Sequence, residues 1–268
     1  MTTGALIFAF NNEQTDYVAM AGWNARNIRR HLNIPVAIVT DCTDPVRLRD
    51  FDRVIESRAE SGGTRWFEDY QGAVTWYNAG RTEAFDLSPW DQTLVLDADY
   101  IVASNSLKLV LEMPQEFLCF RRSINVARPT DMFLNTFGRS NFPMWWATVM
   151  MFRKTTRAEF IFDSMKMIKA NWQHYVDLYG IESSTYRNDY ALSIALGIVN
   201  GHSLKVDSIP WPMSATMPEH TVAEAVSQDG YYVKYRDSEN KDKYISIDGL
   251  DFHAMGKKHL EDIIASST

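Results

Sequence analysis

Leu94-Val95-Leu96-Asp97-Ala98-Asp99-Tyr100-Ile101-Val102 is the stretch on which the rest of the chain is read. Three apolar residues end abruptly in two carboxylates two positions apart, and an apolar pair resumes after Tyr100. A short apolar run of this kind predicts a buried strand over residues 93–96. In open α/β sheets ligands bind beyond the carboxyl ends of the strands, and Asp97 and Asp99 fall at such an end. Carboxylate oxygens there suit a hard dication such as Mn2+ or Mg2+. A diphosphate bound to an acidic protein needs such an ion to neutralise it. The same residues also read as a strand-end turn carrying two surface aspartates.

Working outward, the N-terminal side alternates strand and helix signals. Residues 5–10 form a short apolar run, read as a strand. Tyr17, Met20, Ala21, Ile28 and Leu32 recur at helical spacing and predict an amphipathic helix over 13–31. Residues 34–40 give a second strand, 53–55 a weak third, and 93–96 the fourth. This alternation predicts an α/β fold with a mostly parallel central sheet flanked by helices. On the C-terminal side, Phe117–Phe120 and residues 147–152 read as strands, with a basic Trp- and Met-rich stretch between them. Ile161, Met165, Ile168, Trp172, Tyr175 and Tyr179 mark one long helix stopped near Gly180. Residues 187–199 form another, ended by Asn200-Gly201, and 231–235 with 244–247 form a hairpin. A single domain over 1–268 is expected, with a nucleotide-binding half (1–104) fused to an acceptor-side half (105–268) that carries the C-terminal segment.

Composition narrows the classes. The chain has 268 residues, 46% hydrophobic and 13% aromatic, which excludes global disorder. No run of eighteen apolar residues occurs, so no membrane partner is expected. Met1-Thr2-Thr3-Gly4 lacks the basic start of a signal peptide. Two cysteines, Cys42 and Cys119, make no disulfide framework and fit reduced thiols in a cytoplasmic setting. The net charge of −7 argues against a dedicated nucleic-acid binder, but residues 121–157 carry seven cations against Asp131 alone. That stretch is +6 and the remainder −13, so it reads either as solvated surface or as a face for an anionic partner.

Near the C-terminus stands Asp251-Phe252-His253-Ala254-Met255-Gly256-Lys257-Lys258. An imidazole beside a flexible basic patch offers a metal ligand and phosphate-binding ammoniums, although a lone His is more often structural. Taken with the Asp-x-Asp, the pattern resembles a GT-A-fold, nucleotide-sugar-dependent glycosyltransferase, most like glycosyltransferase family 8. The likeness runs over the strand and turn at 5–12, Asp97 and Asp99, the strand 147–152, the helix start at Asp189, and His253-x-x-Gly256. It implies that Asp97, Asp99 and His253 hold Mn2+ (or Mg2+), that the metal grips the diphosphate of a UDP-sugar, and that Lys257 and Lys258 bind that diphosphate. The sequence departs from the family in two places. His259 stands where the family has its basic residue, and Trp145-Trp146-Ala147-Thr148 replaces the usual Asn-x-Gly strand. The chain is also similar to glycosyltransferase-related proteins of T-even-like bacteriophages. That likeness implies hydroxymethylcytosine in phage DNA as acceptor, glucose or arabinose as the sugar, and the host cytoplasm as the location.

Other candidates follow from position. Phe10, Asn11 and Asn12 after the first strand and Asp41 after the second stand where base and ribose are met. Tyr17 either stacks on the uracil or faces the core, and Ala98 lies in the donor-facing turn. Asn78 and Arg81 precede the Asp-x-Asp strand; Arg81 offers a planar donor fork for diphosphate and sugar, or is a surface arginine. Asn188 and Asp189 either cap a helix and complement its dipole or act on the sugar, Asp189 as a base or as a positioning group. Trp145 and Trp146 offer an aromatic wall for the acceptor, with Arg121 and Arg122 near it. Adjacent strand residues face opposite ways, so at most one of the two Trp enters a cleft. A haloacid-dehalogenase-type phosphatase requires the Asp-x-Asp on the first strand, and a sugar nucleotidyltransferase a Gly-rich basic loop after it. This chain has neither. A silent GT-A-like binding protein is the remaining rival.

Overall fold

Six strands form the main sheet in the order Arg53–Glu56, Val36–Thr40, Thr3–Phe8, Gln92–Leu96, Trp146–Arg153, Phe117–Phe120. The first four run parallel, while Trp146–Arg153 is antiparallel to both its neighbours. These ranges come from a computed structural model that describes residues 1–67, 72–203, 205–224 and 230–266. Val36–Thr40 and Gln92–Leu96 are buried along their whole length, which is why they read as continuous apolar runs and not as alternating ones. Leu94, Val95 and Leu96 are wholly inaccessible, and each such side chain contributes roughly 1.5–3 kcal/mol through its burial. The expected mostly parallel α/β sheet with flanking helices is what the chain forms. Among the described residues no helix is long and apolar enough to cross a membrane.

A smaller sheet orders Arg128–Phe133, Ser123–Asn125, Met213–Ala215, Phe252–His253 and Tyr100–Ile101. In it Phe252 pairs with Ile101 and His253 with Tyr100, antiparallel. Tyr100–Ile101, directly after Asp99, therefore belongs to a second sheet, and the C-terminal segment is its neighbour. Both sheets draw strands from residues 1–104 and from 105–268.

Some boundaries differ from those the sequence predicts. The first helix is Tyr17–Leu32 and starts later than residue 13. Asn12 Oδ1 accepts from the backbone N–H of Gln14 (2.9 Å) and Thr15 (2.8 Å), Asn11 Oδ1 from Val18 (3.0 Å), and the Asp16 side chain caps Ala19. These side-chain bonds offer the backbone an alternative to helix. The expected long helix is two, Thr156–Ala170 and Trp172–Tyr179, split at Asn171, whose side chain donates to the Met167 carbonyl (2.8 Å). Gly180 then closes the second helix at φ +62°, a left-handed position that suits glycine. A hairpin of Gly63–Phe67 with Gly72–Trp76, absent from the sequence expectation, precedes a 3-10 helix over Ala79–Glu83. That turn packs on Thr156–Ala170 and Asn188–Val199.

Candidate metal centre and cleft

The main-chain pairing of the small sheet builds the centre. The strand Gln92–Leu96 delivers Asp97, whose N–H donates to the Thr148 carbonyl (2.9 Å), and Tyr100 N–H closes a turn onto the Asp97 carbonyl (3.1 Å). Ala254 N–H donates to the Asp99 carbonyl (2.9 Å), which fixes His253 beside Asp99. Asp97, Asp99 and His253 each offer a ligand atom, and these atoms all lie within 4.8 Å of one another. Two carboxylates and an imidazole form a donor set suited to Mn2+ or Mg2+. His253 Nε2 is the nitrogen that faces Asp99, while Nδ1 is buried with no hydrogen-bond partner among the described residues. Residues and geometry thus fit a dication.

Two cations share the centre. Arg81 donates from Nη1 to the Ala147 carbonyl (2.9 Å) and from Nη2 to Asp97. Lys257 Nζ lies 2.5 Å from Asp99 Oδ2, while His253 Nε2 lies 3.4 Å from Asp99 Oδ1. Burial pulls the Arg81 guanidinium down to about 10, against the opposing pull of Asp189 and Asp99. Burial alone would raise the Asp99 carboxyl, but the Lys257 ammonium and the His253 imidazole hold it well below the usual carboxylate range.

A cavity of about 320 Å3 opens on Arg81, Asp97, Asp99, His253 and Lys257, with Trp146 and Asp189 on its walls. A narrower slot of about 30 Å3 continues from it, lined by Phe10, Tyr17, Trp76, Asn78 and Ala98. Tyr17 and Trp76 meet edge-to-face, ring centroids 6.1 Å apart. On the cavity wall Asp189 Oδ1 accepts from Ala147 N–H (2.9 Å) and Oδ2 pairs with Arg187 (3.0 Å). Asn188 donates to the Asn78 carbonyl (3.0 Å) and accepts from the Tyr186 hydroxyl (3.2 Å), so it ties two walls together and does not cap its helix. A larger cavity, about 830 Å3, lies between Phe137 and Ile181 and includes none of the metal-site residues.

The structure does not bring every expected residue to the cleft. Asn11 and Asn12 are turn caps and the exposed Asp41 follows its strand; none of the three lines either cavity. Trp146 lines the cleft, whereas Trp145 is buried under the Arg121 guanidinium, 5.2 Å from its ring, as the alternation requires. Arg121 donates to the carbonyls of Asn135 and Met144, and Arg122 to that of Pro210. Arg153 caps the helix Ser106–Glu112 through the Leu111 and Met113 carbonyls, Lys154 donates to Phe85 and Arg157 to Asn200. Five of the seven cations in 121–157 thus spend donors on protein oxygens, on several elements rather than one face. Lys258 opens the last helix; its side chain lies outside the described residues. Trp76, Arg187, Pro218 and Met255 line the cleft without having been expected there. For Trp76 the signal was present, in the β-former run Ala73-Val74-Thr75-Trp76.

No family model and no curated protein matches the chain. Among the solved structures similar to it is the glycosyltransferase GlyE of Streptococcus pneumoniae TIGR4, 13% identical over 78% of this chain and 46% of its own, with a TM-score of 0.43. The galactosyltransferase LgtC, solved with donor and acceptor sugar analogues, is 14% identical over 71% of this chain and 69% of its own, TM-score 0.46. Mouse xyloside xylosyltransferase 1 in its apo form is 13% identical over 75% of this chain and 83% of its own, TM-score 0.47. The chain spans about half the length of the GlyE chain it matches.

Proposed function

We propose that this chain is a metal-dependent glycosyltransferase of the GT-A type, moving a sugar from a nucleoside-diphosphate sugar, a UDP-sugar first of all, to an acceptor hydroxyl. One observation carries the proposal. The antiparallel pairing of His253 with Tyr100 sets an imidazole against two carboxylates at the carboxyl end of a central strand, on the floor of a cleft. A silent binding protein has no need of that convergence.

In this reading Asp97, Asp99 and His253 hold Mn2+ or Mg2+. When bound, the ion supplies Lewis-acid stabilisation of the negative charge on the departing diphosphate. The remaining work falls to the chain's own side chains. Phe10, Tyr17 and Trp76 flank the base at the mouth of the aromatic slot, which at about 30 Å3 must widen to admit the ring, and Asn78 meets the ribose at its edge. Arg81 and Lys257, which line the same cavity, supply the positive charge that meets the diphosphate. Asp189, oriented by Ala147 N–H and Arg187, presents its carboxylate to the sugar and its hydroxyls. Trp146 walls the side from which the acceptor hydroxyl enters. The free thiols of Cys42 and Cys119 agree with a cytoplasmic protein. The cations of residues 121–157 are spread over several elements and not gathered beside the cleft, so they do not favour hydroxymethylcytosine DNA over a glycan, protein or small-molecule acceptor.

The test is product mass after incubation with a panel of UDP-sugars and acceptors, hydroxymethylcytosine DNA among them. Sugar transfer is expected with Mn2+, is abolished by EDTA and returns when Mn2+ is restored. Turnover indifferent to EDTA and unchanged in Asp99→Ala overturns the proposal.

A further inference from the structure

Both carboxylates of the proposed metal site already carry buried cations. The side chain of Lys257 is 3% exposed with Nζ on Asp99, and that of Arg81 is 2% exposed with its guanidinium on Asp97. A cation withdrawn from water needs a counter-charge beside it. Lys257 also donates to the carbonyls of Ala254 (3.3 Å) and Met255 (3.1 Å), but these are dipoles and not charges. Two carboxylates and two cations balance. A bare dication on the same two carboxylates would leave the buried Lys257 and Arg81 facing like charge. An anion arriving together with the dication removes that conflict, and the cavity of about 320 Å3 onto which all four side chains open is where such an anion would lie.

We infer that Lys257, with Arg81 beside it, is a counter-ion lock on the metal site. The ammonium holds Asp99 while the site lacks donor, and it yields that carboxylate to the dication only when a diphosphate is present to receive it. The inference rests on the metal-site assignment under Proposed function and adds to it a condition for metal uptake. Dication and nucleoside diphosphate then bind cooperatively, each strengthening the other by the same factor. The lock differs from simple diphosphate binding by Lys257 in the sign of one effect. Loss of a lysine that only grips phosphate leaves the affinity for bare metal unchanged. Loss of a counter-ion frees Asp99, and bare metal binds more tightly.

The experiment is titration of the full chain with Mn2+, free ion read by electron paramagnetic resonance, with and without UDP, for the wild type, Lys257→Met and Lys257→Arg. In the wild type UDP should tighten Mn2+ binding about 5- to 150-fold. In Lys257→Met bare Mn2+ should bind more tightly than in the wild type, and the UDP effect should shrink towards none. Lys257→Arg keeps the charge and should keep the wild-type pattern. Bare-metal affinity in Lys257→Met that is equal to or weaker than wild type overturns the lock and leaves the metal site standing. A wild type that takes up no Mn2+ even with UDP overturns both. Should Lys257→Met fail to fold, uridine replaces UDP on the wild type: it lacks the diphosphate and should not tighten Mn2+ binding, and tightening equal to that by UDP overturns the lock.

Discussion

Asp99→Asn removes one negative charge from beside the buried Lys257 ammonium. The Asp99 side chain is 6% exposed, and its oxygens lie 2.5 Å from Lys257 Nζ and 3.4 Å from His253 Nε2. Breaking a buried ion pair from one side typically costs about 3–5 kcal/mol, because the remaining charge stays buried and uncompensated. Two carbonyls and the Trp76 ring, 5.9 Å from Nζ, soften the loss and place it near the lower end, about 3 kcal/mol. At roughly 2–4 °C per kcal/mol for a chain of this size, the metal-free melting temperature falls by about 6–12 °C. The pH dependence has a definite sign. Asp99 is held below its ordinary value of 3.8, so its stabilisation is fully present above that pH and is lost as pH falls below it. The gap between wild type and Asp99→Asn should therefore be full at neutral pH and narrow in acid. Thermal melts in EDTA from neutral pH downward measure it, with the double variant Asp99→Asn/Lys257→Met expected to regain most of the loss. A single variant as stable as wild type at neutral pH, or a double variant no better than the single, refutes the ion-pair reasoning.

Arg81→Lys keeps the charge but not the fork that reaches Ala147 and Asp97 at once; losing one charge-assisted bond of about 1.5–3 kcal/mol should weaken UDP–Mn2+ binding at least about tenfold by calorimetry. Trp146→Phe should raise the acceptor KM, whereas Trp145→Phe should leave KM unchanged and lower stability by about 1–3 kcal/mol in urea unfolding. Gly138 sits at φ +69° with an added Cβ 2.2 Å from the Tyr179 carbonyl oxygen, so Gly138→Ala should destabilise by about 1–3 kcal/mol, read as a lower urea midpoint.

Much of this centre can be read along the chain because its first parts are local. Leu94-Val95-Leu96 is apolar on both faces, as a central parallel strand must be, and the change to Asp97 marks the strand's carboxyl end. The opposite facing of Trp145 and Trp146 follows from strand geometry alone. What the sequence hides is tertiary. Lys257 reads as an exposed, flexible cation, and only the pairing of Phe252–His253 with Tyr100–Ile101 buries it against Asp99. The break at Asn171 is hidden because helical spacing of apolar residues continues across it from Ile168 to Trp172. The late start of the first helix depends on Asn11 and Asn12 spending side chains on backbone N–H groups, which composition does not distinguish from ligand binding. The basic character of 121–157 is plain in sequence, but the carbonyls that accept from these side chains come from remote elements such as Leu111, Phe85 and Pro210.

Calorimetric titration of the wild-type chain with UDP, in Mn2+ and again in excess EDTA, bears most directly on whether Asp97, Asp99 and His253 serve a nucleoside diphosphate through a shared ion. Saturable one-to-one binding in Mn2+ that disappears in EDTA is the expected result. Equal affinity under both conditions, or no binding in Mn2+, contradicts it.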